Sequence, residues 1–265
     1  SITSGGNYNV LVGDEAGTAI TTGDNNVAIG FEALKTEDAH GTNTAIGYQS
    51  LKTLNAGADG NNTAVGYRAG TALTTGTQNT LIGSLAGDAL TDTDFNVAVG
   101  VASLSGDTLG SKSTAIGYYA LATQNFTSAT DVFNTAVGHN AGRAVTTGTG
   151  NTLIGGLAGD AITTAANNTA LGFNALGANT TVGSMTAIGS AALAANTSGY
   201  GSTAVGAATL DANTTGNLNT AVGQSALGAN TTGTGNASVG ANALDANTTG
   251  AYNVAFGLSA LSANT

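Results

Sequence analysis

An Asn-Thr-Ala-Val-Gly-like pentapeptide recurs along the whole chain, and its closing glycine falls at Gly13 and then at fourteen further positions up to Gly257. Successive marker glycines lie 17 residues apart except between Gly47 and Gly66 (19) and between Gly117 and Gly138 (21). Self-similarity at a short fixed period belongs to repeat architectures, in which each unit buries its apolar face only against its neighbours. Two units make 34 residues, a length also used by helix-pair repeats. That reading fails, because every candidate helix would carry a central Gly costing about 1 kcal/mol, among Thr and Asn of poor helix propensity. The pentapeptide instead alternates with period two, β-branched residues at one parity and tiny ones at the other. The chain is therefore expected to be all-β, a parallel β-solenoid of about fifteen 17-residue coils forming one repeat domain over residues 1–265.

Comparing the units with one another suggests what lies inside. The slot before each marker glycine always holds a large apolar residue, Val205 and Val222 among them, and this row is expected to point inward. Three residues after the marker stands Ala in twelve units, and Ser50, Ser103 or Thr209 in the rest; the next residue is Leu or Gly. Where it is Gly (Gly17, Gly70, Gly87, Gly142, Gly159), an apolar residue appears three positions later (Ile20, Leu73, Leu90, Val145, Ile162). A close-packed interior that conserves its volume explains the exchange. The Ala preceding the large apolar slot, and marker glycines such as Gly30, Gly47 and Gly66, are too small to fill a core and suit close approach by another chain. The slot four residues before the marker is Asn in twelve of fifteen units, including Asn26, Asn43 and Asn62. A stacked amide ladder accounts for it; N-glycosylation of the Asn-x-Thr strings is the weaker alternative, since an Asn- and Thr-rich repeat produces them freely.

A longer period divides the chain further. NTAVGYRAG followed by NTLIGSLAGDAL returns 72 residues later as NTAVGHNAG and NTLIGGLAGDAI, a four-coil super-repeat. Both long spacings fall before its Ala-Gly coils, so loops are inserted near 52–61 and 122–133, at one corner and projecting to one side. Residues 1–161 carry the Ala-Gly units and both loops, and 162–265 are uniform coils. The chain begins nearly in phase and stops within a unit, so the rod, about 70 Å long at ~4.8 Å per coil, is expected to continue through further residues or by head-to-tail stacking of protomers.

Composition excludes several functions. With no Cys and two His, neither a thiolate site nor a His cluster can form within one chain. Five Lys plus Arg against fifteen Asp plus Glu argue against binding nucleic acid. No apolar run approaches the roughly 18 residues of a membrane span, so this segment is not expected to insert in a membrane. His40 and His139 fall about six coils apart, which leaves no serine triad within the chain, and the glycine strings lack the Lys and the strand-turn-helix context of a phosphate loop. No enzyme activity and no cofactor are expected. Asp88, Asp92 and Asp94 share a turn and form a weak calcium candidate, lacking the alternation and terminal Glu of a calcium loop. Phe31, Tyr48, Tyr67, Tyr118, His139 and Phe173 each follow a marker glycine and would form a flank stripe able to bind a glycan or partner, or simply a half-buried strand edge. Ice binding ranks low, because the Thr-Thr pairs of the turns are adjacent and their side chains diverge.

The NTAIG and NTAVG repeats, followed by AL and an NTTG turn, resemble the head region of trimeric autotransporter adhesins and related repeats in phage tail fibres and large bacterial surface proteins. The resemblance covers the whole chain. It implies a left-handed parallel β-roll, packed side by side as a homotrimer, outside the cell or on a virion. The expected function is an extracellular structural or adhesive rod or filament that self-associates and displays itself to a host surface or glycan. A phage tail-fibre shaft is the alternative, and an ice- or glycan-binding solenoid the lower one.

Overall fold

The computed structural model describes residues 6–264. The chain divides into two compact units, Ser1–Phe133 and Asn134–Thr265. The first contains β1 (Val10–Val12), β2 (Val27–Ile29), β3 (Thr44–Ile46), β4 (Thr63–Val65), β5 (Thr80–Ile82), β6 (Val97–Val99), β7 (Gly110–Ser111), β8 (Thr114–Ile116) and β9 (Thr130–Asp131). The second contains β10 (Thr135–Val137), β11 (Thr152–Ile154), β12 (Thr169–Leu171), β13 (Thr186–Ile188), β14 (Thr203–Val205), β15 (Thr220–Val222), β16 (Ala237–Val239) and β17 (Val254–Phe256). The described residues contain no helix.

Both units are parallel β-solenoids. Seven coils of the first pair in the order β1-β2-β3-β4-β5-β6-β8, with β7 beside β9, and eight coils of the second run from β10 to β17. Register matches slot to slot: Thr44 faces Thr63, Ala45 faces Ala64 and Ile46 faces Val65. In the second unit Thr203, Ala204 and Val205 face Thr220, Ala221 and Val222. Residue types repeat at the period of the coil, so most strand side chains stack on their own kind, with Ala64 against Leu81 among the exceptions.

Left-handed backbone turns the corners. In the second coil Asn25 (φ 60°), Glu32 (φ 52°) and Leu34 (φ 49°) adopt it, and the same three slots do so in other coils. The slot four after the marker explains the Leu/Gly choice. Leucines there lie at φ 47° to 54°, whereas Gly17, Gly70, Gly87, Gly142 and Gly159 adopt the region without steric cost. Volume is then restored from elsewhere. A Cβ on Gly87 would lie 2.7 Å from Leu90 Cδ1 and 2.8 Å from Leu81 Cδ2. Ile20, Leu73, Leu90, Val145 and Ile162 are all buried, so the volume exchange read from the sequence operates in the core.

The orientation expected for the strands is reversed. The central slot of the strands is buried, by Ala at Ala28, Ala45 and Ala64 and by Leu at Leu81 and Leu153, and the large residue before the marker points out: Ile82 remains 39% exposed and Val222 37%. The coil is too narrow to hold a strand Ile opposite the leucine four residues after the marker, so Ala, Leu and Asn make the core while Val and Ile line the exterior. The close approach assigned to the marker glycines is also made by a different partner. A Cβ on Gly223 (φ 134°) would stand 2.5 Å from the carbonyl oxygen of Gly240, in the next coil of the same chain.

Two amide ladders seal the interior. Asn26 Oδ1 accepts the Asn43 N–H at 3.0 Å, Asn43 Oδ1 that of Asn62 at 3.2 Å, and Asn62 Oδ1 that of Asn79 at 2.9 Å. The second ladder occupies the slot seven residues after the marker in the later coils. Asn213 donates to Asn196 at 2.8 Å, Asn230 to Asn213 at 2.9 Å and Asn247 to Asn230 at 3.0 Å, with Asn196, Asn213, Asn230 and Asn247 fully buried. Read as a polar turn in the sequence, these asparagines are core.

Candidate functional site

Alternation along each strand sends two slots outward, so each unit carries an exterior sheet face with two parallel rows. In the second unit one row is Thr135, Thr152, Thr169, Thr186, Thr203 and Thr220, and two residues along the strand the other is Val137, Ile154, Leu171, Ile188, Val205 and Val222. Members of both rows are half-buried or exposed. The face carries methyl groups and hydroxyls and no charge. Its aliphatic row, expected from the sequence to point inward, lies on the exterior.

Beside the corresponding face of the first unit, three of the six stripe residues come together. Phe31, Tyr48 and Tyr67 stack ring on ring in consecutive coils, with centroids 5.3 Å apart and planes tilted by 19° and 11°. The row then stops, because Ser84 and Val101 occupy the slot in the next two coils. Tyr118 packs edge-on against its neighbour Tyr119 at 4.4 Å. His139 and Phe173, in the second unit, are separated by the coil of Gly156. Both ring faces of Tyr48 are taken by its neighbours, so this ring offers a ligand only its edge and hydroxyl group.

Charged side chains next to this stack neutralise one another. Glu32 accepts from Lys35 (2.6 Å), Lys52 (2.7 Å) and Gln49 (2.7 Å), while Lys35 also pairs with Glu15. The bond from Lys35, then those from Lys52 and Gln49, hold the Glu32 carboxyl down at about 2. Hydrogen bonds that Lys35 donates to Glu15 and Glu32 push its ammonium above its ordinary range.

Two of the three calcium candidates accept hydrogen bonds from the preceding coil. Asp92 Oδ1 accepts from Thr75 Oγ1 at 2.6 Å, and Asp94 Oδ1 from the Thr77 N–H and Oγ1 at 2.7 and 2.9 Å. Burial raises the pKa of Asp88, opposed by the charge of Arg68. Among the described residues, the one group of three His, Asp or Glu whose ligand atoms lie within 4.8 Å of one another is Glu37, Asp38 and His40. Glu37 is fully buried, and its two oxygens each accept a backbone N–H, from His40 and from Ala56, both at 3.2 Å. The His40 ring stands close by, Nδ1 lying 3.7 Å from Glu37 Oε1. The sequence reading missed this group, although its signal was present: Glu37 occupies a slot filled by Ile20 and Leu54 in the flanking coils.

The chain matches no family model, no curated protein and no solved structure. Function therefore rests on the site itself. No helix of the described residues is long and apolar enough to cross a membrane.

Proposed function

We propose that this chain is an extracellular structural or adhesive element, a rod or filament of left-handed coils in which copies of the chain pack side by side as a homotrimer through their outward sheet faces. The carrying observation is the uncharged double row of Thr and Val or Ile on those faces. Rows that repeat once per coil, at ~4.8 Å, find a matching surface on another copy of the same repeat. A surface without that period would match a few rungs and clash or gap at the others. Fully burying a half-exposed Val or Ile contributes on the order of 1 kcal/mol, and every coil repeats the contribution. The mechanism is mechanical persistence with multivalent display, and no catalysis is part of this reading.

Light scattering during gel filtration tests it. The expected mass is three chains, and Val205→Asp with Val222→Asp, both on the exterior, should give a folded monomer. A wild-type monomer at micromolar concentration would overturn the assembly. The phage tail-fibre shaft predicts the same mass and is separated from a cell-surface adhesin by the location of the native protein, virion or cell envelope. The stack of Phe31, Tyr48 and Tyr67 is the part that favours contact with a host surface or glycan, and a glycan array reads that out.

A further inference from the structure

The slot seven residues after the marker glycine points into the coil, and over the fifteen coils it holds aliphatic residues, Gln124 or Asn, with two exceptions: Glu37 and Asp107. The chain also departs from the 17-residue spacing twice, and each departure falls in the coil that follows one of these acids. The structure connects the two facts. In four of the regular coils the N–H nine residues after the marker donates forward to the next coil, as Ser198 does to Thr214 O (3.1 Å) and Thr215 to Thr231 O (3.2 Å). In the two long coils the corresponding residues are Ala56 and Phe126, and their N–H groups turn back to the preceding coil. Ala56 donates to Glu37 Oε2 at 3.2 Å and Phe126 to Asp107 Oδ1 at 3.1 Å.

Both acids use the same further contact. Glu37 Oε1 accepts from His40 N–H and Asp107 Oδ1 from Gly110 N–H, three residues on in each case. Asp107 Oδ2 also accepts from Gln124 Nε2 at 2.6 Å. Ala56 and Phe126 are buried, so an N–H there without an acceptor would carry a desolvation penalty. Beyond them the chain is exposed at 57–59 and at 127–129.

We propose that Glu37 and Asp107 are latches: each buried carboxylate captures the first turn of the inserted loop in the following coil, so that each loop opens and closes on its own without unravelling the coil that carries it. The latch is separable from the core, because the same slot accepts Ile20, Leu54, Leu73 and Leu90 fully buried. Replacing either acid by Leu removes the acceptor and keeps the slot filled. Two carboxylates at one slot, each before an insertion, make the device a rule of this repeat and not an accident of one coil.

Hydrogen exchange followed by mass spectrometry on the full chain tests it. Glu37→Leu should speed exchange over 55–61 by about 10-fold or more, the scale of one lost hydrogen bond to a charged group, with 126–132 unchanged and the melting temperature held. Asp107→Leu should do the converse. Glu37→Gln, which keeps one acceptor oxygen, should fall between wild type and Glu37→Leu, and serves if the Leu variant does not fold. Unchanged loop protection in the variants overturns the proposal. So does loss of both loops together with a fall in melting temperature, since the carboxylates would then be holding the coils.

Discussion

Two glutamates of one coil, Glu32 and Glu37, give the pH response opposite signs. Burial raises the pKa of Glu37, with the N–H donors Ala56 and His40 and the charge of His40 opposing, and the charge of Asp38 adding to the rise. Its folded form therefore holds a proton more tightly than the unfolded chain. The stability linked to Glu37 is complete below the ordinary carboxylate range and is lost as pH rises through the raised folded value. Glu32, held at about 2 from an ordinary 4.5, behaves the other way: its contribution is present above 4.5 and is lost as pH falls toward 2. Denaturant unfolding from pH 7 to pH 3 separates the two. The difference between wild type and Glu37→Gln should move in favour of wild type on acidification, and that between wild type and Glu32→Gln should shrink. The Glu32 effect should be small and screened by salt, because its partners Lys35 and Lys52 are each about a third exposed. Neither environment was legible residue by residue, since the partners Lys52, Gln49 and Ala56 are contributed by the next coil.

At the scale of the coil, the marker glycine and the buried amides are the sensitive parts. Gly223→Val combines a forbidden φ of 134° with a Cβ 2.5 Å from Gly240 O. It should cost at least ~2 kcal/mol, read as a lowered denaturation midpoint, and an unchanged midpoint would contradict the close approach between coils. The second amide ladder predicts a contrast between two similar substitutions. Asn230 donates to Asn213 and accepts from Asn247, so Asn230→Leu should destabilise by about 1 to 3 kcal/mol. Asn179 has a buried Oδ1 without a partner, so the ladder begins only at Asn196. Asn179→Leu should cost less than Asn230→Leu in parallel urea titrations. The existence and register of the strands were readable from the repeat. The role of these asparagines was not, since a polar NTTG string reads as a solvated turn until the corner folds it inward. The two latches were readable in principle: one slot, two acids, two insertions.

For the whole molecule, the sequence determined the class of architecture: a 17-residue period in which every unit repeats the same slots leaves in-register parallel coils as the arrangement that stacks like on like. It also determined the volume exchange, because Leu and Gly trade places in a way that only a conserved interior explains. Tertiary structure decided which face of the strand is the inside. Period two states that neighbouring side chains diverge and is silent on which parity faces the core. That choice follows from the volume the closed coil encloses, fixed by left-handed corners at slots such as Asn25, Glu32 and Leu34. With a leucine already across the lumen, Ala fits at the strand centre and Ile does not. The same closure turned Val205 and Val222 from presumed core into the exterior face on which the proposed assembly rests.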